Sequence, residues 1–405
     1  MNGKGKKTIF VSIPTEERAE RLKFEGVLAY AHEKLGERWN LQTDPGGLLP
    51  RVIQGKRMTF DGIIAYVTSA RTRALLAQVK CPVVLIEDLN EPSSPLERRN
   101  ATTLVVDHFE EGRKAAEYFL ERHFTHFAWV GPTRRAAWAD RRKDGYAATL
   151  SAHRHRVHAY PPVTGEARDN FAVEITRLSK WLANLPRPCA VFVCRDARAR
   201  QVISAAAEAG LPMPESLAVL GVDNDEMTDT TVVPALSSID TSDRVIGYTA
   251  GRILNELMLK RARGRVIRTH HPHIITRRST DSDAIDDVLV RETLDYARKH
   301  LSDDLSAAAL AQRANLPAHA LQRRAEQALG ITLGREIQRI RLAAALTRLT
   351  GSDKSVDTIA RECGFISTSY LSMRMKEAYG TTPLRFRRAF LLQRKKDDGP
   401  QISPG

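Results

Sequence analysis

The sequence predicts an α/β domain followed by an all-α domain, and three observations support this prediction. Over about the first 280 residues, short apolar runs of strand length alternate with segments whose apolar residues recur at helical spacing. Beyond residue 283 helical periodicity dominates. The helical part also contains an internal repeat. Because alternating strands and helices are typical of a doubly wound parallel sheet, we expect such a sheet domain first and a helical domain second.

Six apolar runs of the first part are short, rich in branched or aromatic residues and bounded by Gly, Pro or Asp, which is typical of buried parallel strands. These runs are Thr8–Ile13, Gly62–Val67, Val83–Glu87, Phe127–Val130, Ala190–Cys194 and Ala218–Val222. Five segments with helical periodicity are predicted as helices between them. These segments are Glu17–Leu35, Phe109–Arg122, Arg141–Ala152, Phe171–Asn184 and Ala197–Ala209.

The charge balance of the chain favours a polyanionic partner. The 405 residues hold 62 Lys and Arg against 48 Asp and Glu, a net charge of +14. Most of this excess lies in residues 288–405, which carry 20 basic and 12 acidic side chains. The basic residues are interleaved with Leu, Ile and Ala, which indicates folded helices with basic faces. Charge alone fits nucleic acid, anionic lipid or ordinary solvated helices, so a motif has to decide.

Several classes of protein are disfavoured by features that the sequence lacks. Its four cysteines are scattered and form no CxxC pair, so neither a disulfide framework nor a zinc site is indicated. The apolar run Ile9–Ile13 is short for a signal peptide, and no run has the length of a membrane span. No GxGxxG, GxxxxGK[ST] or GxSxG motif indicates a nucleotide site or a hydrolase. We therefore expect a cytoplasmic protein that makes no membrane contact and has no catalytic residues, metal or cofactor.

Polar and aromatic side chains follow the ends of three predicted strands, which is where such sheets bind ligands. Carboxylate, amide and guanidinium groups suit the hydroxyls of a polyol, and an indole suits its apolar face. Each residue also has a structural alternative, since a carboxylate can cap a helix, an arginine can pair with a surface acid and a tryptophan can belong to the core. The predicted ligand-binding residues are Trp138, Arg142, Asp196, Asp223 and Asn224.

Two stretches of the helical part repeat one another and predict two helix-turn-helix units. Leu310–Gly330 and Ile359–Gly380 align at an offset of 49 residues over the first helix and 50 over the second. Between them, residues 334–349 are predicted to form a helix about 24 Å long at 1.5 Å per residue. Once the widths of the two recognition helices are added, that length lets one chain place both helices in successive major grooves, about 34 Å apart. The expected capping serines and left-handed helix ends are Ser306, Asn315, Ser355 and Gly364.

In a helix-turn-helix unit the second helix lies in the major groove and its N-terminal half faces the base edges. Arg suits guanine, and Ser, Thr or Gln make single contacts. A helical hairpin that binds another protein stays open as the alternative. The candidate DNA-binding residues of the first unit are His319, Gln322, Arg323 and Arg324. Those of the second unit are Thr368, Ser369, Ser372, Arg374 and Lys376.

Residues 8–280 carry a family resemblance in five stretches, namely Phe60–Ile64, Val106–Gly112, Ala115–Gly131, Arg142–Gly145 and Val219–Asn224. These stretches resemble the effector domain of the LacI/GalR repressors and of type I periplasmic sugar-binding proteins. The resemblance implies a two-lobed domain in which Arg142 and Asp223 contact sugar hydroxyls, together with Trp138 and Asn224. The chain departs from this family at Arg195, where an Asn is frequent, so the identity of the sugar stays open.

The helical part carries a second resemblance, in Arg341–Ala345, Ile359–Phe365 and Tyr379–Arg387. It resembles the AraC/XylS family of transcription activators over its whole length. The two resemblances imply a ligand-binding domain at residues 1–283 and a DNA-binding domain at 284–396. Residues 397–405 are expected to form a flexible tail.

Together these observations predict a sugar-responsive regulator of transcription, an activator of a sugar-utilisation operon whose effector alters operator contact. The expected partners are double-stranded operator DNA, a small sugar, a second copy of the chain and RNA polymerase. A pentose, xylose or a related one, is the foremost expected effector. A solute-binding protein and an α/β enzyme with a protein-interaction domain are the alternatives. The presence of both domains in one chain favours the regulator.

Overall fold

The computed structural model describes residues 6–44, 59–87, 100–168, 170–269, 272–281, 285, 287–352, 354–379 and 381–387. These residues form two compact units, the first from residues up to 120 and 125–281, the second from residues 121–124 and 282–387. The predicted tail at 397–405 lies outside the described residues. None of the described helices combines the length and apolarity needed to cross a membrane.

The first unit is built on two six-stranded sheets. Its described strands are β1 Lys7–Ser12, β2 Trp39–Thr43, β3 Gly62–Val67, β4 Val83–Glu87, β5 Ala101–Val106, β6 His126–Val130, β7 Val157–Ala159, β8 Cys189–Val193, β9 Leu217–Val222, β10 Ser237–Asp240, β11 Val266–Thr269 and β12 His273–Ile275. One sheet has the order β11-β5-β4-β3-β1-β2 and is parallel throughout. The other has the order β12-β10-β9-β8-β6-β7, and only β12 is antiparallel. The predicted two-lobed parallel fold is therefore confirmed.

Helices cover both sheets, and two of them differ from the prediction. The described α-helices of the first unit are α1 Arg18–Tyr30, α2 Ala70–Leu76, α3 His108–Leu120, α4 Ala137–Ala152, α5 Phe171–Ala183, α6 Asp196–Glu208, α7 Glu226–Thr231 and α8 Asp243–Met258. The predicted start of α4 at Arg141 is wrong because Trp138 faces a cavity rather than the core, which hides the periodicity of the first turn. The predicted end of α1 at Leu35 is also wrong, since Ala31–Leu35 forms a π-helical turn.

Two helix pairs of the first unit pack with their backbones in contact. In α1, a Cβ at Gly26 would overlap the carbonyl oxygen of Arg244 in α8. In α3, a Cβ at Gly112 would overlap the carbonyl oxygen of Arg142 in α4. Only glycine permits such an approach. The approach brings charged residues of each pair within bonding distance, among them Lys23 with Asp243.

The second unit is helical. Its described helices are α9 Val288–Lys299, α10 Ala307–Arg313, α11 Ala318–Leu329, α12 Leu333–Gly351, α13 Val356–Glu362 and α14 Thr368–Tyr379. Ser306 and Ser355 each accept a hydrogen bond from the backbone N–H three residues on, at the start of α10 and α13. Asn315 and Gly364 have φ values of 51° and 74°. The predicted caps and left-handed helix ends are confirmed, and α10–α11 and α13–α14 are two helix-turn-helix units.

Helix α12 joins the two helix-turn-helix units, because it packs in the hydrophobic core of each. Ile337 and Ile340 pack in the core around α10 and α11, whereas Leu342, Ala345 and Leu349 pack in the core around α13 and α14. Its 19 residues extend about 28 Å at 1.5 Å per residue. The predicted connecting helix is confirmed, and it holds both helix-turn-helix units in one compact body.

Candidate effector cleft and DNA-reading helices

A narrow cavity, with about 10 Å³ of free space, lies at the carboxyl ends of strands from both sheets of the first unit. Tyr66 and Val106 belong to the ends of β3 and β5, while Asp223 and Thr241 follow β9 and β10. Ligand pockets begin at about 300 Å³, whereas about 10 Å³ is the space of one water molecule, so side chains fill this cleft and a ligand would have to displace them. Its lining residues are Ala19, Glu20, Lys23, Tyr66, Val106, His108, Glu111, Trp138, Arg142, Arg195, Asp223, Thr241 and Asp243.

Asp223 is held in an unusual backbone conformation directly after β9. Its φ is 108°, a region that disfavours side-chain-bearing residues and that occurs at functional sites. Its amide donates to the Ile239 carbonyl oxygen at 2.9 Å, and its own carbonyl oxygen accepts from Arg18 Nη1 at 3.0 Å. Burial raises the pKa of the carboxyl to about 7, although Arg195 and Arg142 act to lower it. The buried Oδ1 has no hydrogen-bond partner in the part of the chain that the structure describes.

Arg195 extends across the cleft between the two lobes. Its Nη1 lies 3.1 Å from Glu17 and its Nη2 lies 3.7 Å from Glu20, both at the start of α1. Its Nε lies 3.7 Å from Asp223 Oδ2, which belongs to the same lobe as Arg195, whereas α1 belongs to the other lobe. The guanidinium carbon lies 4.6 Å from the centre of the Trp138 ring. Arg195 Nε is buried, and no described residue forms a hydrogen bond with it.

Arg142 also lies near Trp138, and buried partners hold its guanidinium group. Its Nε donates to Glu111, and its Nη1 donates to the Cys194 carbonyl oxygen at 2.6 Å. His108 Nδ1 lies 2.9 Å from the same Glu111 carboxylate. The Arg142 guanidinium carbon lies 4.8 Å from the Trp138 ring centre. Two guanidinium groups therefore lie within 5 Å of this ring centre.

The α1 side of the cleft is formed by a second network. Lys23 and Asp243, both buried, form an ion pair of 2.5 Å, and the Thr241 hydroxyl donates to Asp243. Tyr66 donates to Glu20 Oε1 at 3.1 Å. Glu20 Oε2 is buried and accepts no hydrogen bond from any of the described residues. The charges here are neutralised within the protein, and one acceptor is left over.

We call three buried polar atoms of the cleft that have no hydrogen-bond partner among the described residues the unsatisfied set: Glu20 Oε2, Arg195 Nε and Asp223 Oδ1. Buried polar atoms are normally bonded, so these atoms indicate where a ligand would bind. Two of them accept and one donates. A hydroxyl group can donate to a carboxylate and accept from a guanidinium. The set therefore suits a small polyhydroxy compound.

In the second unit, α11 has one buried and one exposed face. Leu321, Ala325 and Leu329 are buried in the core. His319, Gln322 and Arg323 are exposed on the other side, and they form no hydrogen bond or ion pair with any residue in the described part of the chain. This face has the position that reads DNA in a helix-turn-helix unit.

The exposed face of α14 has different chemistry at matching positions. Leu371 and Met375 are buried. Ser369 and Lys376 are exposed and Ser372 is half-buried. Met373, which occupies the position of Arg323 at the offset of 50 residues, is 46% exposed. Thr368 donates to Asp357 at 3.3 Å, so its hydroxyl is already bonded within the unit.

The two remaining arginine candidates are bound inside the second unit. Arg324 donates to both oxygens of Asp287, at 2.7 and 2.9 Å, and these bonds hold the pKa of that carboxyl below its usual range. Arg374 donates to Gln338 and, at 2.6 Å, to Glu377. Both guanidinium groups are therefore engaged with neighbouring helices, which makes them weaker candidates for base contact than Arg323.

Comparison with known proteins agrees with this architecture. Residues 116–280 match the model of a periplasmic binding protein-like domain, and residues 310–389 match that of a helix-turn-helix domain. The chain is a helix-turn-helix transcriptional regulator with a periplasmic-binding-protein-like domain.

Relatives and solved structures extend this likeness over nearly the whole regulator. It is 26% identical to the xylose operon regulatory protein of Escherichia coli K12 over 374 residues, 91% of this chain and 93% of that protein. It is 34% identical to the transcriptional activator RhaS of Pectobacterium carotovorum over 98 residues, 24% of this chain and 35% of that protein. The structure of the xylose-binding transcription activator xylR shares its fold, with a TM-score of 0.57, 24% identity and coverage of 95% of this chain and 99% of that one.

The regulator places the five predicted ligand residues in two groups. Trp138, Arg142 and Asp223 come together in the cleft. Asp196 and Asn224 are not among the lining residues and instead fix the loop after β9.

The bonds of that loop show what Asp196 and Asn224 do in the fold. Asp196 accepts from Ser238 at 2.7 Å and from the Asp225 amide at 2.8 Å, and burial raises its pKa well above the ordinary value. Asn224 donates to Asp240 at 3.2 Å and accepts from Arg277 at 2.7 Å. Asp196 therefore holds the loop after β9 in place, and it does not cap α6, because its carboxylate bonds to Ser238 and Asp225 and not to the start of that helix.

Several cleft residues had no signal in the sequence. Glu20, Lys23, His108, Glu111 and Asp243 lie in the first two turns of α1, α3 and α8. Their polar side chains at helix starts resemble ordinary caps or solvated positions. To place these residues in the cleft, one would have to know the chain crossings that bring α3 and α8 from one lobe to the other.

Proposed function

We propose that the effector of the regulator is a neutral monosaccharide, a pentose such as xylose foremost, and that its binding in the cleft alters contact of α11 and α14 with operator DNA. The unsatisfied set is the observation that supports this proposal most directly. These atoms require a ligand whose groups donate to two carboxylates and accept from a guanidinium, and hydroxyl groups can do both. The name of the Escherichia coli relative, a xylose operon regulatory protein, favours a pentose among such molecules.

The charges of the cleft argue against an acidic sugar. Glu20, Glu111, Asp223 and Asp243 all line it. The Lys23, Arg142 and Arg195 cations are each already paired with one of these carboxylates. A ligand carboxylate would therefore lie beside like charges in a poorly solvated site, which is unfavourable.

We also propose a mode of action for the regulator. It works in the cytoplasm without catalysis, as a homodimer, and activates transcription of a sugar-utilisation operon through RNA polymerase. The description of one relative as a transcriptional activator supports activation. Pairing of copies follows the expectation from the two families that the sequence resembles.

A ligand screen on the full-length protein tests the effector class. D-xylose, D-ribose, D-glucose and D-glucuronate are compared by thermal shift and then by calorimetry. A ligand present at about 100 times its Kd stabilises the folded protein by roughly 2.7 kcal/mol, so a pentose should raise the unfolding temperature clearly. Glucuronate should have no effect. Stabilisation by glucuronate alone, or by none of the neutral sugars, would contradict the proposal.

A further inference from the structure

Arg195 occupies the part of the cleft that a sugar ring would use to stack on Trp138. Its guanidinium carbon lies 4.6 Å from the ring centre, well inside the ~6 Å limit for a cation–π contact. Only 19% of its side chain is exposed. The arginine is therefore a built part of the cleft wall and not a surface group that has folded over it.

Three carboxylates hold Arg195 in this place from both lobes. Glu17 and Glu20 bind it from the start of α1, and Asp223 binds it from the end of β9. Two of these groups, Glu20 and Asp223, also carry the acceptors of the unsatisfied set. A sugar whose hydroxyls bind those acceptors therefore competes with Arg195 for the same carboxylates as well as for the face of Trp138.

We infer that Arg195 is a specificity-determining residue that competes with the neutral sugar for the cleft and thereby lowers its affinity. This inference rests on the proposed function. Binding requires the guanidinium to leave the ring and loosen its ion pairs, and a sugar binds only if its own contacts outweigh that loss. The effector's affinity is set by this exchange, and a smaller residue at position 195 should bind the same sugar more tightly.

Replacement of Arg195 removes ion pairs of the cleft but no bond that holds the start of α6. It is the residue before α6, and its side chain makes no capping hydrogen bond there. Asn is a favoured residue at such a position. The variant Arg195→Asn therefore removes the guanidinium without removing a cap.

The test is calorimetry with D-xylose on the full-length protein and on three variants. Arg195→Asn should lower the Kd for xylose by about tenfold or more, since both a cation–π contact and buried ion pairs no longer compete. Glu17→Gln, which weakens the most exposed partner of Arg195 and lies outside the cleft lining, should lower the Kd by a few-fold, the scale of one surface ion pair. Arg200→Asn removes the same charge from an exposed position of α6, and its Kd should stay within about twofold of the parent value.

A second measurement needs no sugar. Quenching of tryptophan fluorescence by acrylamide should increase in Arg195→Asn, because the Trp138 ring is uncovered, and the increase should vanish when Trp138→Phe is added. An unchanged or higher Kd in Arg195→Asn would overturn this inference but not the proposed function. An unchanged Kd would mean that Arg195 does not affect sugar binding, and a higher Kd would mean that Arg195 contacts the sugar directly. Failure of both the parent and Arg195→Asn to bind any neutral sugar would overturn the proposed function and, with it, this inference.

Discussion

The effector cleft and the DNA-reading helices treat their charged residues in opposite ways. In the cleft, Lys23, Arg142 and Arg195 are each paired with carboxylates of the same cavity. On the reading helices, Arg323 and Lys376 are exposed and have no partner among the described residues. Burial explains this contrast, since an unpaired charge is costly away from water and tolerated at the surface.

The difference shows where recognition capacity is located in each region. In the cleft it resides in single atoms left over from satisfied networks, as at Glu20 Oε2 and Asp223 Oδ1. On the reading helices it resides in whole side chains. Mutations in the cleft should therefore disturb affinity and folding together, whereas mutations on the reading face should change DNA contact alone.

The largest effect is expected from Asp223→Ala in the cleft. Two charge-assisted hydrogen bonds at about 1.5–3 kcal/mol each would be lost, which weakens sugar affinity by roughly two to four orders of magnitude. Calorimetry with the stabilising sugar measures the loss. Asp225→Asn is the matched control, because Asp225 lies in the same loop but does not line the cleft, and it should keep its affinity. Normal sugar binding by Asp223→Ala would show that the cleft is misassigned.

Asp223 should also make the stability of the first unit depend on pH. Its pKa of about 7 in the folded protein exceeds the unfolded value of about 3.9, so the folded state binds more protons between these values and stability falls as pH rises through that window. This group contributes a fall of at most about 4 kcal/mol. Chemical unfolding at about pH 5 and about pH 8 measures it, and tryptophan fluorescence reports it because all four tryptophans lie in this unit. Asp223→Asn should lose that part of the fall; parallel pH dependences in both proteins would contradict the assignment.

On the reading face, Arg323→Ala should weaken binding to the preferred DNA site by about 1–3 kcal/mol and relax the preference at one base pair, if the free guanidinium meets a guanine. Arg324→Ala is the matched control, since that side chain is bound to Asp287. Retardation assays on the preferred site and on single-base variants compare them. A larger loss of base preference in Arg324→Ala than in Arg323→Ala would reverse our ranking of the two arginines.

The smallest effect is expected from Lys376→Ala in α14. If Lys376 binds a phosphate, its removal should weaken binding to all sequences alike and reduce the slope of log K against log salt by about 0.9. Retardation at several salt concentrations measures the slope. A sequence-dependent loss with an unchanged slope would instead make Lys376 a base reader.

Local patterns in the sequence were sufficient for the reading helices. The capping serines and the left-handed Asn315 and Gly364 act within a few residues of themselves. Periodicity also placed His319, Gln322 and Arg323 on the exposed face. The pairing of Arg324 with Asp287 was not predictable, because the two residues are 37 positions apart and meet only through packing of α9 against α11.

The cleft was predictable only in part, for the same physical reason. Strand ends, which follow from local apolar runs, pointed to Trp138, Arg142 and Asp223, and the structure brings these three side chains to one cavity. Strand β10 was missed, since its buried Ser237 and Ser238 are satisfied by distant partners such as Thr280 and Asp196. That bonding also draws Asp196 away from the cleft.

The central claim is that a sugar bound in the cleft changes how the reading helices contact DNA. Retardation of operator DNA by the full-length protein, with and without D-xylose, tests it when parent and Asp223→Ala are compared side by side. Our account predicts that both proteins bind DNA without sugar and that xylose changes the DNA affinity of the parent only. An equal change in both proteins, or none in the parent at a xylose concentration that saturates it, would contradict the account.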